Sequence, residues 1–177
     1  MWLRQFILDV SHSVDHFQRL GLPRRFSLDR SLLEREYLSR SRLVHPDFHS
    51  NDSAKTAAAA ALNEAYVTLK DPLRRAEYLL SCLGGPSTSQ EKGQDSAFLM
   101  EMMDIRERIE AIAKEDSQRC IIQDELSERR DQLLTAAGKL LDTLPTEQSA
   151  LSAIRKDLNA IRTLHTLQRQ LDDEHAL

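Results

Sequence analysis

Apolar residues recur three or four positions apart in several separate segments of the chain, which is the spacing of amphipathic helices. In the first half, one such face lies between Ala54 and Lys70, and three more series follow in the second half. The positions are Ala58, Leu62, Ala65, Tyr66 and Leu69; Phe98, Met102, Ile105, Ile109 and Ile112; Ile122, Leu126, Leu133, Ala137, Leu140 and Leu144; Leu151, Ile154, Leu158, Ile161, Leu164 and Leu171. The pattern predicts an all-α protein.

Capping and helix-breaking residues place the helix ends of the first half. Asp29 is a suitable N-cap for a helix that must stop near Val44, because Pro46 lacks an amide donor and disfavours a helical residue before it. Asp71-Pro72 combines a capping side chain with proline at the first helical position. That helix should run to the stop at Gly84-Gly85.

A single segment rich in Gly, Pro and Ser, residues 84–94, divides the chain. Residues 1–87 carry 12 basic and 10 acidic side chains, a net charge of +2, whereas residues 88–177 carry 12 and 18, a net charge of -6. We therefore predict an N-terminal domain at 1–84, a linker at 85–94 and a C-terminal domain at 95–177. The C-terminal helices, with breaks near Asp116 and Pro145, should form an antiparallel three-helix bundle.

Composition excludes several classes of function. A mean hydropathy of -0.47, with no apolar run near the roughly 20 residues of a membrane helix, argues against a membrane protein. A pI near 5.9 without a basic tract argues against nucleic-acid binding. Cys82 and Cys120 form no CxxC pair and are predicted to be core residues rather than ligands. Because catalytic groups do not cluster, neither an enzyme nor a cofactor or metal site is predicted.

The turn His45-Pro46-Asp47 gains meaning from its surroundings. Tyr37 stands eight residues before His45, and an alanine-rich helix follows. This arrangement resembles the J domain, the module that stimulates ATP hydrolysis by DnaK-type chaperones. Residues 62–80, LNEAYVTLKDPLRRAEYLL, are more specifically similar to HscB, the J-protein family of iron–sulfur cluster assembly, as are residues 14–23 and the FLME motif at 98–101. The resemblance covers residues 14 to about 115, and the last 60 residues agree in helical pattern.

The resemblance implies where the chaperone would bind. A J domain is a helical hairpin with the His-Pro-Asp loop at its tip, and that loop would sit against the chaperone's ATPase domain. The second helix would add a basic face, although a solvated helix of mixed charge is the alternative. The implied chaperone-binding residues are His45, Pro46, Asp47, Arg35, Arg40 and Arg42.

The resemblance also implies a scaffold-binding patch in the C-terminal half. Its residues are Leu99, Met100, Met103, Asp104 and Glu107. Because Phe98, Met102 and Ile105 already begin a complete core stripe, Met100 and Met103 should lie on a second face of the same helix. The alternative is that the bundle core covers both faces.

Together these features predict a co-chaperone that stimulates a DnaK/HscA-type ATPase and delivers the iron–sulfur cluster scaffold protein to it. A monomer in the bacterial cytoplasm is favoured over one in the mitochondrial matrix. Two alternatives remain: a J-domain protein that delivers a different client, and a non-catalytic helical interaction module. Stimulation of a chaperone ATPase, with and without the scaffold protein, separates the three.

Overall fold

The computed structural model describes residues 14–44, 53–91, 93–111 and 116–173. Its regular structure throughout these ranges is helical, which confirms the predicted fold class. The chain divides into two compact units between Leu79 and Leu80. The helices are α1 (His16–Leu20), α2 (Arg30–Val44), α3 (Ser53–Lys70), α4 (Pro72–Cys82), α5 (Ser96–Ala111), α6 (Asp116–Asp142) and α7 (Gln148–Asp173).

Three aspartates begin helices in the N-terminal unit. The carboxylate of Asp15 accepts a hydrogen bond from the backbone N–H of Gln18 at 2.8 Å and caps α1. Asp29 caps α2, and Asp71 caps α4 ahead of Pro72, as the sequence predicts. Gly21 closes α1 with a φ of 66°, a left-handed conformation that glycine adopts without strain.

The core of the N-terminal unit joins α1, α2 and α3. Four of the five residues predicted on the apolar face of α3 are buried, and the fifth, Tyr66, lies at its edge. The ring of Tyr66 stacks on Tyr37 of α2 with centroids 4.1 Å apart. Buried side chains of the unit include Phe17, Leu20, Leu33, Leu62, Ala65, Leu69 and, on α4, Leu79.

The C-terminal unit is an antiparallel bundle of α5, α6 and α7. Glu101 pairs with Arg129 at 3.4 Å, while Arg108, seven residues later, pairs with Glu125, four residues earlier, at 2.8 Å. These pairings show that α5 and α6 run in opposite directions. One cluster of the core consists of Phe98, Met102, Ile105, Ile109, Ile122, Leu126, Ala160, Leu164, Leu167 and Leu171, with Leu133 against it. Ala137, Leu141, Leu151, Ile154, Leu158 and Ile161 are also buried.

Three predicted core positions are wrong. Leu140 and Leu144 are 40% and 43% exposed, whereas Leu141 is fully buried. The core continues from Ala137 to Leu141 at a spacing of four, and α6 ends at Asp142, before Leu144. Cys120 is exposed because it stands two residues, about 200° of helix rotation, before the core residue Ile122.

The segment before α5 is bonded to α7 within the C-terminal unit. Arg155, only 5% exposed, donates from Nε to the carbonyl of Pro86 at 2.8 Å. Asn159 donates to the carbonyl of Glu91 at 2.6 Å, and Gln94 donates to that of Lys156 at 3.2 Å. Two backbone carbonyls of this segment therefore accept hydrogen bonds from side chains of α7, and one side chain at its end donates to an α7 carbonyl.

Candidate protein-binding surfaces

The His45-Pro46-Asp47 turn lies outside the residues that the structure describes, as do residues 1–13 at the start of the predicted N-terminal domain. The helices on its two sides are described: α2 ends at Val44 and α3 begins at Ser53.

The face of α2 opposite its buried residue Leu33 carries Arg35, Leu38 and Arg42, which we call the α2 face. The side chain of Arg35 is 71% exposed, and Arg42 is also exposed. Leu38, 54% exposed, stands between the two arginines, three residues after one and four before the other. Sequence reasoning missed Leu38, although its spacing from Arg35 and Arg42 places it on their face.

Arg40, also predicted to bind the chaperone, has different surroundings. Its guanidinium lies so close to Gly21 that a side chain at that position would collide with it. Its Nε is 3.9 Å from Glu36, and the side chain is 25% exposed. Arg40 therefore does not share the exposed position of Arg35 and Arg42, and its side chain contacts other residues of the N-terminal unit.

Tyr37 links α2 to α3 on a polar edge of the unit. Its hydroxyl donates to Oδ1 of Asn63 at 2.7 Å, and its ring stacks on Tyr66. Lys70 extends the cluster, with Nζ 5.3 Å from the Tyr66 ring centroid. These contacts fix α2 against α3 on the side where apolar packing ends.

In the C-terminal unit, the five predicted scaffold-binding residues lie together on the exposed side of α5; we call them the α5 patch. Met100 and Met103 are 71% and 63% exposed, Leu99 is 49% exposed, and Glu107 is exposed. The core of α5 is formed instead by Phe98 and Met102 with the isoleucines that follow. The alternative in which the bundle core covers both faces of this helix is therefore wrong.

Arg108 connects the α5 patch to α6. Its guanidinium makes two hydrogen bonds to Glu125, at 2.8 and 3.1 Å, and lies 3.7 Å from Asp104. The hydrogen bond to Glu125 is the main cause that raises the pKa of Arg108. Asp104 and Arg108 are four residues apart on α5, a spacing visible in the sequence, but the partner on α6 requires the fold.

Comparisons with known proteins agree with this architecture. Residues 15–78 match the DnaJ domain model, and residues 94–172 match the model of the HSCB C-terminal oligomerisation domain. A co-chaperone protein HscB homolog of Burkholderia thailandensis is 39% identical over 83% of this chain and 88% of its own. The chain belongs to the HscB family. It is thus a J-domain co-chaperone, from a family that is not enzymatic.

Solved HscB structures share the fold. The chaperone HscB from Vibrio cholerae is 31% identical, with a TM-score of 0.73 over 93% of this chain and all of that one. The human co-chaperone protein HscB is 26% identical, with a TM-score of 0.76 over 93% of this chain and 83% of that one. None of the described helices of this HscB-family protein is long and apolar enough to cross a membrane.

Proposed function

We propose that this HscB-family protein stimulates the ATPase of a DnaK/HscA-type chaperone through residues 1–84 and delivers the iron–sulfur cluster scaffold protein through residues 95–177. The observation that carries the proposal is the exposed α5 patch in a chain that also has a J domain. Neither activity needs bond-making by this chain. Both depend on how well its surfaces fit their partners.

The chaperone-binding half of the proposal rests on His45-Pro46-Asp47 and the α2 face. A turn that contains proline loses less conformational entropy on binding than a flexible one. Arg35 and Arg42 supply positive charge on the helix that precedes the turn, which favours an acidic partner surface and speeds encounter. Because Arg40 packs on Gly21, we assign it a supporting contribution within the unit.

The scaffold-binding half rests on exposed apolar area beside negative charge. Met100 and Met103 leave flexible thioethers in solvent, a costly arrangement unless a partner covers them. Asp104 and Glu107 lie next to them and would fix the register of a partner with matching cations. This combination suits an adaptable protein-binding surface.

Carrying both surfaces on one chain makes the protein an adaptor. When one partner binds, the other is held at an effective concentration that reaches the millimolar range for short connections. If the ternary complex favours the hydrolysed, client-holding state of the chaperone, the scaffold should enhance stimulation by the co-chaperone.

Single-turnover ATP hydrolysis by the cognate DnaK/HscA-type chaperone tests the proposal. We expect this protein to accelerate hydrolysis, and the scaffold protein to accelerate it further. Acceleration that is indifferent to the scaffold would favour a J-domain protein with a different client. No acceleration of any DnaK-type chaperone would favour a plain helical interaction module.

Replacement of His45 by Gln tests the chaperone-binding half. Because the imidazole belongs to the proposed contact with the ATPase domain, His45→Gln should abolish acceleration in the single-turnover assay. Circular dichroism should show unchanged helicity. A loss of helicity would mean instead that His45 supports the fold.

Replacement of the two exposed methionines tests the scaffold-binding half. Met100→Ser with Met103→Ser removes apolar area that a partner would cover. The scaffold should therefore bind at least tenfold more weakly, a loss of about 1.4 kcal/mol of binding free energy. Stimulation by the protein alone should persist. Leu140→Ser, an exposed leucine elsewhere on the bundle, is the matched control and should bind normally; unchanged binding by the methionine variant would exclude the α5 patch.

A further inference from the structure

A groove lies between α5 and α6, and Glu125 in its wall pairs with Arg108, which also contacts Asp104 of the α5 patch. The groove has a volume of about 450 Å³ and is lined on the α5 side by Glu101. Its α6 side is formed by Ile121, Asp124, Glu125, Glu128, Arg129 and Gln132. These α6 residues follow one another at helical spacing along one face, on which all but Arg129 are exposed.

Charge in the groove is only partly compensated. Arg129 pairs with Glu101 at 3.4 Å, and Arg108 pairs with Glu125 at 2.8 Å. Within the described part of the chain, no basic side chain forms a salt bridge with Asp124 or Glu128; Glu128 accepts only from the Gln132 amide, at 3.3 Å. Two carboxylates in the groove are therefore available to cations from a partner.

Ile121 gives the groove an apolar contact point. Its side chain is 63% exposed, as much as that of Met103 in the α5 patch. Ile121 lies one helical turn before Asp124 and Glu125 on α6. An apolar side chain next to acidic ones matches a partner segment that alternates apolar and basic residues.

The groove and the α5 patch share one chain of charged groups. Asp104 of the patch lies 3.7 Å from Arg108, which in turn holds Glu125 of the groove. Arg108 therefore links Asp104, on which a partner of the patch would bind, to the wall of the groove.

We infer that the α5/α6 groove receives a basic segment of the same scaffold protein that the α5 patch binds, so this inference rests on the proposed function. The occupant must bring positive charge, which argues against a second bundle, because residues 88–177 carry a net charge of -6. The carboxylates of the groove would thus orient the scaffold protein by ion pairs, in addition to the apolar contact that the α5 patch makes.

Charge reversal in the groove tests the inference. Binding of the cluster-free scaffold protein to the full chain is measured by calorimetry at several salt concentrations. Asp124→Lys with Glu128→Lys should weaken binding about tenfold at low salt and flatten its salt dependence. Ile121→Ser should weaken binding severalfold at every salt concentration. Asp172→Lys with Asp173→Lys, an equal charge change near the end of α7, should have little effect.

The outcomes separate this inference from the function on which it rests. If the unmodified protein does not bind the scaffold, the proposed function fails. If Met100→Ser with Met103→Ser weakens binding but the groove variants bind normally, only the groove inference fails. A groove variant that changes sedimentation of the protein alone, without changing scaffold binding, would identify a second copy as the occupant and overturn the inference.

Discussion

His16 is held by an aromatic contact at the start of the N-terminal unit. Its imidazole stacks on Tyr78 with ring centroids 4.1 Å apart, and its backbone N–H donates to the Tyr78 hydroxyl at 2.9 Å. Burial lowers the pKa of His16 below its usual 6.5, helped by nearby Arg19 and opposed by Glu64 and Asp15. The folded unit therefore favours the neutral ring.

The lowered pKa of His16 makes the N-terminal unit sensitive to acid. Between the folded pKa and about 6.5 the unfolded chain binds more protons, so the free energy of unfolding rises with pH. The stability that the neutral His16 ring contributes is complete above about pH 6.5 and is lost as the pH falls through the pKa of His16 in the folded protein. Urea unfolding followed by amide signals of α2 and α3 should show less stability at pH 5.5 than at pH 7.5.

Carboxylates titrate over part of the same range, so a variant is needed to isolate His16. His16→Phe keeps a ring for the stack on Tyr78 and removes the titrating group, and it should reduce the loss of stability between pH 7.5 and 5.5. Proton NMR of the His16 ring in the folded protein should give a pKa below that in the urea-unfolded chain. Equal values in the two states would contradict the assignment.

At the scale of an element, Arg155 fixes the segment that precedes α5. It is nearly buried on α7, and its Nε bond to the Pro86 carbonyl satisfies a backbone group that faces the bundle. Arg155→Ala leaves that carbonyl unpaired and opens a cavity, so the C-terminal unit should lose about 2–4 kcal/mol of unfolding free energy.

The consequence for the segment is separately measurable. Amide hydrogen exchange should accelerate at residues 87–91 in both Arg155→Ala and Arg155→Met, since neither replacement can donate to the Pro86 carbonyl. Arg169→Ala, at an exposed site on the same helix, should change stability by no more than about 0.5 kcal/mol. Unchanged protection of the amides of residues 87–91 in the Arg155 variants would show that other contacts hold the segment.

Helix starts and helix faces differ in how far the sequence determines them. Asp29 and Asp71 could be predicted as caps because capping involves only residues a few positions away. Leu140 and Leu144 could not be placed correctly from a repeat of seven, because a straight helix drifts from that repeat and the bundle buries Leu141 instead.

For the candidate surfaces, too, the sequence predicts helix faces but not contacts between distant residues. The sequence correctly predicts Met100 and Met103 on the solvent face of α5, because the core stripe of that helix is complete without them. Arg155 was missed because a charged side chain on an apolar face is ordinarily exposed, and its carbonyl partner lies 69 positions away in the sequence. Contacts of that range depend on the tertiary fold.

For the whole molecule, the decisive property is that both proposed surfaces belong to one chain. His45→Gln should keep scaffold binding, and Met100→Ser with Met103→Ser should keep chaperone stimulation. Each variant therefore keeps one of the two proposed binding functions. If the co-chaperone acts by raising the local concentration of scaffold at the chaperone, a mixture of the two variants cannot restore the effect.

The expected result is that this mixture accelerates single-turnover hydrolysis no more than the methionine variant alone, at any scaffold concentration that saturates the unmodified protein. Tethering supplies millimolar effective concentration only between sites on the same molecule, so micromolar variants in solution cannot replace it. Full restoration would mean that the halves act independently or that chains associate. Sedimentation of the mixture separates these cases, because association would also contradict the predicted monomer.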